Sequence, residues 1–221
     1  MSRRPGAACL ALMLLMLLPV SAAGADRDRG EVDNVLGRLE SNVASIRTLS
    51  ASFVQKKKMA AFSHEIRMEG KVYIRKPSSL AWHVRDPLRY SVLITDKLIR
   101  QWDEETNQVQ EISLSSNPML GAVLEQMTVW FSGKYTSLSK DYEISITSTS
   151  GEPIVLEFLP REGNMAAKVI DRVLVGLALD ERYLSWIRIV ESGGDTTTIE
   201  FSETVFDIPL SEKNFEVKGS V

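Results

Sequence analysis

Between Ile66 and Arg75 the chain alternates strictly, with Ile66, Met68, Gly70, Val72 and Ile74 interleaved with Arg67, Glu69, Lys71, Tyr73 and Arg75. A period of two sends successive side chains to opposite faces of a pleated strand, so one face is apolar and the other polar. Pro77 closes the strand, because it has no amide hydrogen to give a sheet ladder. The pattern returns in Leu80, Trp82 and Val84 against Ala81, His83 and Arg85, and Pro87 ends it again. Residues 90–95 and 98–102 read as two strands joined tightly around Asp96-Lys97, and 109–114 follows the polar turn Glu104-Glu105-Thr106-Asn107. The first half is thus an antiparallel meander. Strand patterns resume at 142–147, 154–159, 169–179, 184–190 and 196–201, separated by turn clusters such as Gly193-Gly194-Asp195. About ten strands at this spacing predict one large antiparallel sheet that curls rather than lying flat.

Two segments depart from the period. Across 31–49, Val32, Val35, Leu36, Leu39, Val43, Ile46 and Leu49 recur at three- and four-residue steps, with Asp33, Asn34, Arg38, Glu40 and Arg47 opposite them. That spacing predicts an amphipathic helix lying on something apolar. At Asn117-Pro118 an N-cap residue precedes a proline at the first helical position, which predicts a second helix over 119–131. Its Leu120, Val123, Leu124, Met127, Val129, Trp130 and Phe131 make it too apolar for a one-sided surface helix. The expected class is mainly β (α+β).

Residues 1–25 carry Arg3 and Arg4, an apolar run over 7–20 and the small residues Ala23-Gly24-Ala25, the three-part pattern of a secretory signal cleaved near Ala25. The run is shorter than the roughly 20 residues that span a bilayer. Cleavage would leave a single domain over 26–221, about 196 residues, enough for one buried core. The one cysteine, Cys9, leaves with the leader, so the mature chain is expected to have no disulfide, no thiolate metal site and no lipid anchor. Losing Arg3 and Arg4 moves the net charge from −3 to about −5, with both signs mixed along the chain. That balance argues against a nucleic-acid partner.

A catalytic constellation is not visible. His64 and His83 lack metal-ligand spacing and are expected on solvated strands or turns. No nucleophile elbow, phosphate loop or dinucleotide fingerprint is present. Glu104-Glu105 reads as a solvated pair in a hairpin turn, and Lys56-Lys57-Lys58 either as a solvated strand end that discourages edge pairing or as a contact for anionic headgroups or an acidic partner. The informative feature is apolar: Phe53, Met68, Val72, Ile74, Leu80, Trp82 and Val84 share one face of the meander. Periodicity allows either a permanent core under helices or a cavity that helices close over a greasy ligand.

The stretch from Gly70-Lys71-Val72-Tyr73-Ile74-Arg75-Lys76-Pro77 through Leu80-Ala81-Trp82-His83 resembles the periplasmic lipoprotein carrier family LolA and its superfamily. Leu49-Ser50-Ala51-Ser52-Phe53-Val54-Gln55-Lys56 is similar to that family's helix-to-strand junction, and Ile94-Thr95-Asp96-Lys97 up to Trp102 to its short hairpin. The turn Gly194-Asp195, the strand after it and Asn214-Phe215 extend a looser likeness. The resemblance implies an incomplete barrel whose concave face is covered by a lid of helices. It places Leu39, Val43, Ile46, Leu49, Leu120, Val123, Leu124 and Met127 on the lid, and Phe53, Met68, Val72, Ile74, Leu80, Trp82 and Val84 on the cavity wall.

It also implies a monomeric, non-enzymatic carrier with no cofactor. Such a carrier takes acylated lipoprotein or lipid from an inner-membrane releasing complex to an outer-membrane acceptor. Two positions depart from the family. Its members place an arginine before the strand-ending proline, as a latch on the closed lid, where this chain has Lys76. Lysine lacks the planar fork of arginine, and Arg75 points to the other face, so the lid is expected to be held less firmly. The family also continues in a Pro-Gly tail where only four residues follow Val217, which implies a specialised cargo. The alternative is a sensor of mislocalised lipoproteins built on the same half-barrel, a class that usually adds a second domain. A receptor would need its own lipid anchor.

Overall fold

The computed structural model describes residues 23–61, 64–114, 134–148 and 152–217. The proposed leader up to residue 22 and the proposed second helix, with Leu120, Val123, Leu124 and Met127, lie outside the described residues. Among the described residues, the α-helix α1 (Ala23–Ala44) precedes eleven strands. These are β1 (Thr48–Lys58), β2 (Glu65–Arg75), β3 (Ser79–Asp86), β4 (Tyr90–Ile94), β5 (Leu98–Asp103) and β6 (Val109–Ser113), then β7 (Tyr142–Ile146), β8 (Val155–Pro160), β9 (Ile170–Leu177), β10 (Leu184–Glu191) and β11 (Thr196–Phe206). They form one antiparallel sheet in the order β6-β5-β4-β3-β2-β1-β11-β10-β9-β8-β7. The chain is therefore mainly β, a curved open sheet equivalent to an incomplete barrel, as the alternation predicts.

Each half is a meander of neighbours in sequence, and the halves meet where β1 pairs with β11, Phe53 opposite Phe201. Register carries the alternation across strands: Val72 opposes Ala51 and Trp82, and Ile74 opposes Leu49 and Leu80. The strands around β1, β2 and β3 consequently share one apolar face. Gly70 lets two layers close on it, because a Cβ there would lie 2.0 Å from the His83 carbonyl oxygen and 2.6 Å from the Phe53 ring.

The helix ends at Ala44, five residues before the periodic pattern does. Ile46 sits in the connection and Leu49 already belongs to β1, so neither is helical. Leu49 continues the three–four spacing only because a strand residue two before Ala51 also faces the apolar side. The helix does not lie over the wall residues of the first meander. Val32, Val35, Leu36 and Leu39 pack on the second one, against Tyr142, Leu156, Phe158, Val173, Val175 and Leu177, with Tyr135 and Leu138 of the 3-10 helix Tyr135–Lys140. Phe53, Val72, Ile74, Leu80 and Val84 form a separate cluster with Ile94 and Ile99.

His83 overturns the expectation of a solvated strand position, being 1% exposed. The outer face of β3–β5 is roofed by the C-terminal segment, where Phe215 and Val217 pack on Ala81, Leu93 and Trp102. Nε2 lies 2.9 Å from the Asn214 carbonyl and Nδ1 2.8 Å from the Ser91 hydroxyl. A carbonyl only accepts, so Nε2 carries the hydrogen and Nδ1 accepts from Ser91. Burial pushes the His83 pKa below its usual 6.5, Arg85 adds to this, and the bond to Asn214 opposes it. The folded protein thus prefers neutral imidazole, while the unfolded chain takes the proton first as pH falls below about 6.5. Stability should fall as pH drops from neutrality through about 6.5 and level off only once the folded imidazole protonates as well. Thermal melts of His83→Gln across that range should show a shallower slope, and an unchanged slope would refute the assignment.

The lysine run is paired: Lys56 with Glu200 at 3.0 Å, and Lys57 with Glu191 at 3.0 Å. Glu104 likewise accepts from Arg89 Nε at 3.1 Å in an exposed turn. Both are surface pairs of small energetic weight.

Candidate functional site

Where α1 ends over the meeting line of the two meanders, an apolar cavity of about 50 Å³ remains. Val43, Ile46 and Leu49 approach it from the helix end and the start of β1, Val72 and Ile74 from β2, and Leu184, Phe201 and Phe206 from β10 and β11. Val72 and Ile74 are the two expected wall residues that line it. Phe53, Met68, Leu80, Trp82 and Val84 share its face but lie further along the meander, where Trp82 stacks on Phe53 at 3.8 Å between ring centres and meets Phe201 edge-on at 6.4 Å. Of the expected lid residues, Val43, Ile46 and Leu49 border the cavity, whereas Leu39 is in the core under α1.

Four polar attachments surround the cavity or hold α1. Lys76 Nζ donates to the Val43 carbonyl at 2.6 Å, and Lys76 N to the Arg47 carbonyl at 2.9 Å. The Val43 carbonyl also accepts from the Ile46 amide at 3.2 Å, and the negative end of the helix dipole favours a cation there. Burial lowers the Lys76 pKa, with Lys134 acting the same way and Asp207 opposing. Further up the helix, Arg38 pairs with Glu181 at 3.0 Å and Asn42 donates to the Glu181 carbonyl at 3.1 Å. Glu40 accepts from the Thr136 amide at 2.8 Å and hydroxyl at 2.7 Å. Arg75 turns to the outer face, as alternation requires, where it bonds Glu212 at 2.7 Å and lies over the Phe215 ring.

Pockets that enclose a drug-sized ligand hold ~300–1,000 Å³. The cavity as it stands is therefore too small for a long chain, which needs the surrounding residues to move apart. Among the described residues no group of three or more His, Cys, Asp or Glu could hold a metal ion, and no helix is long and apolar enough to cross a membrane.

The family model for the outer membrane lipoprotein carrier protein LolA matches residues 44–218, from the end of α1 through the whole sheet. The chain belongs to the LolA family. An outer-membrane lipoprotein carrier protein from Pseudomonas fluorescens is 22% identical over 213 residues, covering 94% of this chain and 97% of that one. Among solved structures, an uncharacterized conserved protein from Thermus thermophilus superposes with a TM-score of 0.53 at 10% identity, over 86% of this chain and 96% of its own. MucB superposes at 0.51 and 14% identity, over 86% of this chain and 64% of MucB. The two structural likenesses concern the fold.

Within the LolA frame, the residues that sequence reasoning missed are those of the second meander: Tyr183, Leu184, Phe201, Thr204 and Phe206. Tyr183 and Phe206 meet edge-on at 5.3 Å beside Arg182, whose guanidinium lies over the Phe206 ring. Alternation through Phe201 was a usable signal for one of them. The rest needed the pairing of β1 with β11.

Proposed function

We propose that this LolA-family protein is a periplasmic carrier, exported by its leader as one domain, that takes up acyl chains of a lipoprotein or related acylated lipid without chemically altering them. The carrying observation is the apolar cavity under the end of α1, lined by Val43 and Lys76, with the Lys76 ammonium bonded to the Val43 carbonyl. Opening breaks polar contacts rather than the large apolar core under Leu36 and Leu39, so α1 can lift at its C-terminal end while its middle stays packed. Lys76 is the latch in this reading.

The magnitudes suit a shuttle. Each buried methylene is worth ~0.8 kcal/mol, so one chain of about sixteen carbons gains ~12 kcal/mol if fully enclosed. Opening the latch and partial enclosure offset part of that, leaving cargo that a partner with its own apolar surface can take. Donor and acceptor would be an inner-membrane releasing complex and an outer-membrane receptor, as the family implies.

Native mass spectrometry with lipid extraction, on protein purified from the periplasm, should show co-purifying acylated cargo. Protein that arrives empty and rejects fluorescent acyl probes would overturn the proposal. A second reading of the same half-barrel is a sensor that binds mislocalised lipoproteins. A carrier transfers bound lipid to acceptor vesicles or receptor, whereas a sensor retains it.

A further inference from the structure

One buried polar atom, on a residue that lines the cavity, has no partner among the described residues. Thr204 Oγ1 is inaccessible to solvent and makes no hydrogen bond with the described residues, although Thr204 lines the apolar cavity. Thr48, on the same cavity, shows the ordinary solution: its hydroxyl donates to the Ile208 carbonyl at 2.7 Å. An unsatisfied buried hydroxyl is costly, and native proteins rarely keep one without a use.

The backbone is bent to put it there. Ser52 pairs with Ser202 and Ser50 with Val205, so one residue of β1 stands against two of β11, Glu203 and Thr204. Plain alternation from Phe201 would turn Glu203 inward and Thr204 outward. In the bulge Glu203 adopts a φ of 51°, a left-handed conformation that non-glycine residues seldom take. Its carboxylate stays outside and accepts from the Ser52 hydroxyl at 2.7 Å. Thr204 and Phe206 then both face the cavity. Bulges re-aim side chains, and local strain of this kind clusters at functional sites.

We infer that the Thr204 hydroxyl is a head-group subsite that donates a hydrogen bond to the acceptor oxygen at the head of a bound acyl chain once the cavity opens. A lone hydroxyl donor in an apolar pocket favours a strong acceptor oxygen, such as an ester or amide carbonyl or a free carboxylate, over an ether. This inference rests on the carrier reading and gives its cargo a chemical requirement beyond greasiness.

The test compares ligands that differ at that oxygen: 1-palmitoylglycerol, its ether analogue 1-hexadecylglycerol, and palmitate, each displacing a fluorescent acyl probe. Wild type should prefer the ester over the ether by about fivefold, the worth of one net hydrogen bond. Thr204→Val should bring that ratio to about one, and Thr204→Ser should restore it. Because the valine removes an unpaired hydroxyl, the variant's ligand-free melting temperature should rise by about 2–4 °C. A preference for palmitate that vanishes with the same variant assigns the donor to a free carboxylate and supports the subsite equally. Equal displacement by all three ligands, or a ratio that survives Thr204→Val, overturns the subsite but leaves the carrier. Failure of every ligand to displace the probe overturns both.

Discussion

Lys76→Met is expected to raise the affinity for an acyl probe about tenfold while lowering the melting temperature by about 3–6 °C. The variant keeps the aliphatic stem against the cavity and removes the donor that reaches Val43. A hydrogen bond to a charged group contributes ~1.5–3 kcal/mol, and partial exposure of Lys76 puts this one near the lower bound. About 1.4 kcal/mol is a tenfold change in an equilibrium constant. Since a ligand sees its site only in the open fraction, its apparent affinity rises by the same factor that the closed state loses. Lys76→Arg should act in the opposite sense, because its fork can hold two acceptors at the helix end and slow both uptake and release. Equilibrium titration and stopped-flow with the same probe separate these results. Unchanged affinity in the methionine variant would remove Lys76 from any latching role.

Gly70→Ala is expected to cost at least ~3 kcal/mol and lower the melting temperature by about 6–12 °C. The added methyl would meet the backbone of β3, which cannot rotate away as a side chain can, and the ring of Phe53, which is already stacked on Trp82. Relief would have to come from parting β2 and β3, whose register carries Val72 against Trp82. Gly37→Ala supplies the contrast within the same protein. A Cβ at Gly37 meets nothing within 4 Å, and it lies inside α1, so the substitution should stabilise by about 0.5–1 kcal/mol. Similar melting temperatures for the two variants would show that the close approach at Gly70 is not what holds this face together.

Strands announced themselves because each has one apolar face, and that pattern survives whatever the sheet does at larger scale. It reproduced the order of turns from Arg75 to Glu191 to within a residue or two at most ends. It failed where geometry interrupts period two. The last strand was expected to stop at Phe201, but β11 continues to Phe206 through the bulge at Glu203 and Thr204. The same bulge hid the cavity's second wall. His83 was misplaced for another reason: its solvation depends on Phe215 and Val217, more than a hundred residues away in sequence, and no local pattern encodes a roof. The helix was legible, its end less so, since Ile46 and Leu49 keep helical spacing by coincidence with strand alternation. Which half of the sheet α1 covers depended on tertiary contacts alone.

The line where β1 meets β11 also has a consequence in time. Phe53 precedes its partner Phe201 by about 150 residues, so each meander can close hairpin by hairpin before this long-range pairing joins them. Until it does, Leu49, Ala51 and Phe53 have one unpaired strand edge beside them. A truncated chain can therefore possess most of its sheet and still lack the seam on which the cavity is built.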